Sequence, residues 1–158
     1  GINVTNAGSY YSAADDLIIR EKDGGDSGLT IRTGTANSGL ICFADGASST
    51  SDQYRRGQIR YHHNTDSMDF TTAGNTARLQ IDSGGNVLPG TDNTQDLGSS
   101  AKRWANLYTG DLHLSNEGRG NDIDGTSGAW TMQEGESDLF LINNKTGKKY
   151  KFNLTEVS

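Results

Sequence analysis

The sequence predicts an all-β protein, and three observations carry that prediction. Short runs of residues alternate apolar and polar side chains, the period of a half-buried strand. Turn-forming residues separate these runs, with 21 Gly and a single Pro in 158 residues. β-Branched and aromatic residues recur at strand spacing, although only 32% of the chain is hydrophobic.

Taken in order, residues 1–16 are small and polar and read as a lead-in from an upstream stalk. Residues 17–21 form the first expected strand, and 22–26 are a turn by composition. Residues 29–33 alternate cleanly and read as a second strand. Gly28, Leu29 and Ile31 are echoed by Gly39, Leu40 and Phe43, each set closing on a glycine turn, at Gly34 and Gly46. Such spacing suits a sandwich, a prism or a β-helix. After a polar loop at 47–56 come expected strands at 58–62, 68–72 and 78–82, parted by turns at 63–66 and 73–75. A tight turn at 83–86 leads to Pro89-Gly90, which closes a β-rich module spanning 17–90.

The segment 91–116 changes character halfway. Leu97, Trp104, Leu107 and Tyr108 stand at roughly helical spacing, which predicts a short helical turn near 99–108 with Ser99 or Ser100 as its cap. Gly110 breaks it, and Leu112 and Leu114 then alternate as in a strand. Residues 117–158 hold a glycine-rich loop (117–128), a strand with Trp130 (129–133) and a β-hairpin. The hairpin arms are 139–143 and 148–154, joined through Asn144-Lys145-Thr146-Gly147. Tyr150, Phe152 and Leu154 share one face, and Lys149, Lys151 and Asn153 the other. A lone hairpin is marginal in water, so Phe140, Ile142, Tyr150 and Phe152 need cover.

Composition sets further bounds. So low an apolar content is poor for a self-contained core, because buried apolar area must offset conformational entropy. Copies that share a core resolve this, and the expected state is an intertwined homotrimer. The net charge of -6 argues against a nucleic-acid partner, which needs a basic footprint. No apolar run approaches membrane-spanning length. Cys42 is the sole cysteine, which excludes an intrachain disulfide and a cysteine metal cluster.

No motif commits the chain to catalysis. His62 and His63, adjacent on a strand, point to opposite faces and cannot chelate one ion together. Asn121-Asp122-Ile123-Asp124-Gly125 has the alternate oxygens of a calcium loop but lacks the later acidic ligand, and reads as a solvated loop. Asp66 and Asp69 flank a turn without the aromatic subsite that would mark a glycosidase pair. No Gly-x-Ser-x-Gly nucleophile turn is present. Lys145, Lys148, Lys149 and Lys151 make a basic hairpin preceded by Glu134, Glu136 and Asp138. They are the candidate contact with an anionic glycan or a neighbouring protein.

Several phrases carry a resemblance. The stretch DLGSSAKRWANLYTGDLHL (96–114) resembles a motif of phage tail fibre and tailspike proteins. Between 39 and 87, GLICFADG, RGQIRYHH, MDFTTAG and RLQIDSGGNV follow one another as in a module of marine phage structural proteins. The tail from Trp130 to Phe152 is similar to the C-terminus of structural proteins of large cyanobacterial and other marine phages. The resemblance implies a homotrimeric, β-prism or triple-β-helix-like fibre with Trp104 plugging a shared core and Arg103 flanking it. Many such fibres carry a self-cleaving chaperone peptidase after the strand region; the expectation here is that it has either been cut off already or is replaced by the lysine-rich hairpin as terminus. Together these readings imply a structural and adhesion component of a phage virion. Its expected partners are its own copies, other tail proteins and a host surface glycan, with no cofactor. The alternatives are a glycan-degrading tailspike and a bacterial carbohydrate-binding or adhesin module.

Overall fold

The computed structural model describes residues 26, 28–47 and 52–157. The chain divides into two compact units, one ending at Leu97 and the other beginning at Gly98, and each contains one antiparallel sheet. The expected lead-in (1–16) and the expected strand at 17–21 lie outside the described residues.

The first sheet is a five-stranded meander of β1 (Ser38–Phe43), β2 (Gly57–His62), β3 (Ser67–Thr72), β4 (Thr76–Ile81) and β5 (Val87–Pro89), in that spatial order. Local turn chemistry dictates the meander. Asp66 closes the β2–β3 loop at φ 49, and Ala73 and Gly74 turn β3 into β4 at φ 54 and 99. Between β4 and β5 the Asp82 carboxylate accepts from the backbone of Gly84 and Asn86, each at 2.9 Å, and from the Asn86 side chain at 2.8 Å. These bonds hold the Asp82 carboxyl below its ordinary pKa, the Asn86 side chain contributing most. Pro89 has no N–H to give a ladder and stands on the edge strand.

Register gives the sheet two unlike faces. Ile41 lies opposite Ile59, Ile59 opposite Phe70, and Phe70 opposite Leu79, while Tyr61 lies opposite Met68 and Met68 opposite Ile81. Phe43 and Val87 extend this apolar face by alternation along β1 and β5. The other face carries Ser38, Gln58, Arg60, His62, Ser67, Asp69, Thr71 and Gln80, with Leu40, Cys42 and Leu88 on its edge strands. Burial runs opposite to expectation for a globular core. Among the described residues no hydrophobic side chain is buried, whereas Gln58, Ser67, Asp69 and Thr71 are. Long polar neighbours lie across one another there: Arg60 donates to Gln58 and to Asn75, and Gln80 donates to Asp69 at 2.8 Å.

The second sheet is a four-stranded meander of β6 (Leu112–Ser115), β7 (Ala129–Glu134), β8 (Leu139–Asn143) and β9 (Lys149–Lys151). Leu112, Leu114, Trp130, Met132, Leu141 and Tyr150 share one face, with the Trp130 and Tyr150 rings 5.7 Å apart. His113, Thr131, Gln133, Phe140, Ile142, Lys149 and Lys151 share the other.

Most expected strands are present within a residue or two, and the all-β class holds. Three readings are corrected. Residues 29–33 form no strand, because alternation alone makes no ladder and these residues pair with no neighbour among those described. The expected helical turn near 99–108 is absent, and the only helical element described is a 3-10 turn, Gln53–Arg55. The second hairpin arm is regular only over Lys149–Lys151 rather than 148–154. One strand, β5, was hidden by reading Pro89 as a boundary.

Candidate assembly and attachment surfaces

The segment that enters the second unit is built around a tight loop. Ser99 N–H donates to Lys102 O at 2.8 Å, and Lys102 N–H donates to Ser99 O at 3.2 Å and to Ser99 Oγ at 3.0 Å. The expected capping serine therefore does bond three residues ahead, but it closes a turn and not a helix. Gly98 is required here. Its φ is 91, and a Cβ would stand 3.0 Å from Lys102 O and 3.5 Å from the Trp104 ring. Beside it Gly98, Lys102, Arg103 and Trp104 line a shallow recess of about 310 Å³.

The side chains expected at a shared core are open to solvent in the single chain. Leu97 is 77% exposed, Trp104 68%, Leu107 66% and Tyr108 92%.

The hairpin turn is tightly specified. Gly147 N–H donates to Asn143 O at 2.8 Å with Gly147 at φ 70, and Asn143 Oδ1 accepts from Lys145 N at 3.0 Å and Thr146 N at 3.1 Å. Register divides the hairpin residues between the two faces of the sheet. Phe140 and Ile142 stand with Lys149 and Lys151, whereas Tyr150 stands with Leu141 and Trp130. Phe152 donates its N–H to Leu139 O at 3.0 Å, which continues the pairing past β9. One cover cannot serve all four residues.

The basic hairpin is likewise divided. Lys145 Nζ donates to Ser127 O at 3.0 Å and Ser127 Oγ at 2.7 Å, and stands 3.7 Å from Glu117. Lys151 pairs with Asp138 at 2.8 Å. Lys148 and Lys149 are exposed and make no ion pair among the described residues.

Two clusters singled out in the sequence turn their polar atoms inward. In the 117–128 loop Asn121 Oδ1 accepts from Ile123 N at 2.7 Å and Asp124 N at 3.0 Å, and Asp124 Oδ1 accepts from Thr126 N at 2.9 Å. The Thr126 backbone bond is the chief cause of a lowered Asp124 pKa. No group of three metal-ligating side chains occurs among the described residues. His62 lies between Ser38 Oγ (3.1 Å from Nδ1) and Asp69 Oδ2 (2.8 Å from Nε2), while His63 stacks edge-on to Tyr61 on the opposite face. Burial opposes ionisation of Asp69, but the bonds from Gln80 and His62 outweigh it and leave the carboxyl below its ordinary pKa.

The sequence reading missed the two apolar sheet faces as surfaces. Alternation was visible strand by strand, but which strands lie side by side was not. No known protein family, curated protein or solved structure matches the chain.

Proposed function

We propose that the chain is a structural, non-enzymatic piece of a phage tail fibre, three copies of which share a core and present a surface for host attachment. One observation carries this reading: no hydrophobic side chain is buried among the described residues, although each sheet has an apolar face. A chain in that state gains too little from burial to offset the entropy of ordering it, so it requires further copies or another partner. The resemblance of 96–114 to fibre proteins favours three copies about an axis, with Trp104 in the shared core and Leu107 and Tyr108 beside it. In that assembly the hairpin acts as a clamp on register. Lys148 and Lys149, free of ion pairs among the described residues, are the contact with an anionic host glycan or an adjacent virion protein.

Light scattering on the purified chain tests the reading. The expected mass is three times the chain's 16.9 kDa, stable on dilution. Incubation with host surface polysaccharide is expected to give binding without depolymerisation. A 16.9 kDa species, or turnover abolished by a single Asp or Glu substitution, overturns the proposal.

A further inference from the structure

We infer that an open depression at one end of the second sheet holds a neutral sugar unit of a host surface glycan, a contact separate from Lys148 and Lys149. The inference rests on the attachment reading for the source of the sugar and on the lining side chains for its chemistry. The depression measures about 710 Å³, within the span of about 300–1,000 Å³ usual for small-molecule sites. Leu114, Trp130 and Asn143 lie opposite one another across β6, β7 and β8, on one face of the sheet, and all three line it. The 117–128 loop and the β8–β9 turn supply its walls, and Lys145 ties these together through Ser127. Asn116 Oδ1 accepts from Gly128 N at 2.5 Å and pins the end of the loop.

The lining selects the ligand. Half-buried Trp130 and exposed Leu114 offer an apolar patch that suits the C–H face of a pyranose ring. Gly128 keeps the indole edge open, since a Cβ there would stand 3.0 Å from Trp130 Nε1. Asn143 uses its Oδ1 within the turn, and its Nδ2 donates to nothing among the described residues; the Trp130 Nε1–H is likewise without an acceptor there. Asp124 is engaged only through Oδ1, which leaves Oδ2 as an acceptor. A ligand here must therefore both accept and donate over a short span, and sugar hydroxyls do both. A cation leaves the donors unmatched. An anion meets the Asp124 carboxylate, while the Lys145 ammonium is already held by Ser127 and stands 3.7 Å from Glu117.

Saturation-transfer NMR on the full chain tests the site, with the methyl glycosides of glucose, galactose and mannose, N-acetylglucosamine, and methyl glucuronide as the charged comparison. At least one neutral sugar is expected to bind saturably, and the glucuronide about tenfold more weakly than the glucoside or not at all. Gly128→Ala, which crowds the indole, and Asp124→Asn, which keeps the Oδ1 acceptor of the loop but replaces Oδ2 by a donor, are each expected to weaken binding about tenfold. If Gly128→Ala also lowers the melting temperature, Asp124→Asn reads the site alone. Absence of saturable binding across the panel, parent-like affinity in Asp124→Asn, or a glucuronide that binds as well as the glucoside overturns the inference. The attachment reading still stands in those cases if host polysaccharide is retained by the parent and lost on replacing Lys148 and Lys149 by Gln. A parent that retains no host polysaccharide overturns the attachment reading itself.

Discussion

Replacing Trp104 by alanine tests the shared core directly. A tryptophan side chain buries up to about 250 Å². With the residue 68% exposed in the single chain, about 170 Å² remains to be covered on assembly. At about 25 cal/mol per Å² that cover is worth about 4 kcal/mol for each chain. This falls within the range of about 3–5 kcal/mol measured for deleting buried large aromatics. Because every 1.4 kcal/mol is a factor of about ten, a loss of that size from each of three chains moves the dissociation midpoint by more than about a thousandfold. Sedimentation equilibrium over a dilution series reads the midpoint, and Trp104→Phe, which keeps most of the apolar area, should fall between mutant and parent. If Trp104→Ala dissociates at the parent's concentration, Trp104 is not in a shared core and the energetic argument fails.

Three further outcomes are expected. Deleting everything after Gly135 removes β8 and β9 and leaves β6–β7 as an isolated pair, which is marginal in water; oligomer yield and melting temperature should both fall, and an equally stable truncated oligomer would refute the clamp. Asp69 titrates lower in the folded chain than in the unfolded one. Its contribution is therefore complete above the unfolded carboxyl pKa of about 3.9 and is lost as pH falls through the folded value. Asp69→Asn should flatten part of the fall in melting temperature between neutral pH and pH 3, with Asp82 and Asp124, also lowered, accounting for a remainder. Gly90→Ala drives a Cβ into the backbone oxygen of Ala77, so calorimetry should show the melting temperature reduced as β5 is forced off β4.

Strands were legible in the sequence because their causes are local. Period-two alternation and turn residues such as Asp66, Gly74 and Gly147 specify where a strand starts and stops, and β8 lies where alternation placed it. The helical reading of 99–108 failed for a related reason. The spacing of Trp104, Leu107 and Tyr108 gives an apolar stripe, but a helix that short is stabilised mainly by packing its stripe on something, and in the single chain these side chains meet solvent. Residues 29–33 show the same limit for a strand, since alternation without a partner strand forms no ladder. Only the tertiary structure decided that Ile41, Ile59, Phe70 and Leu79 form one continuous surface, because register depends on which strands pair and not on any one of them. It likewise decided that Lys145 and Lys151 are held by Ser127 and Asp138 while Lys148 and Lys149 make no ion pair among the described residues, a distinction made by which loop and strand end each lysine meets across the sheet.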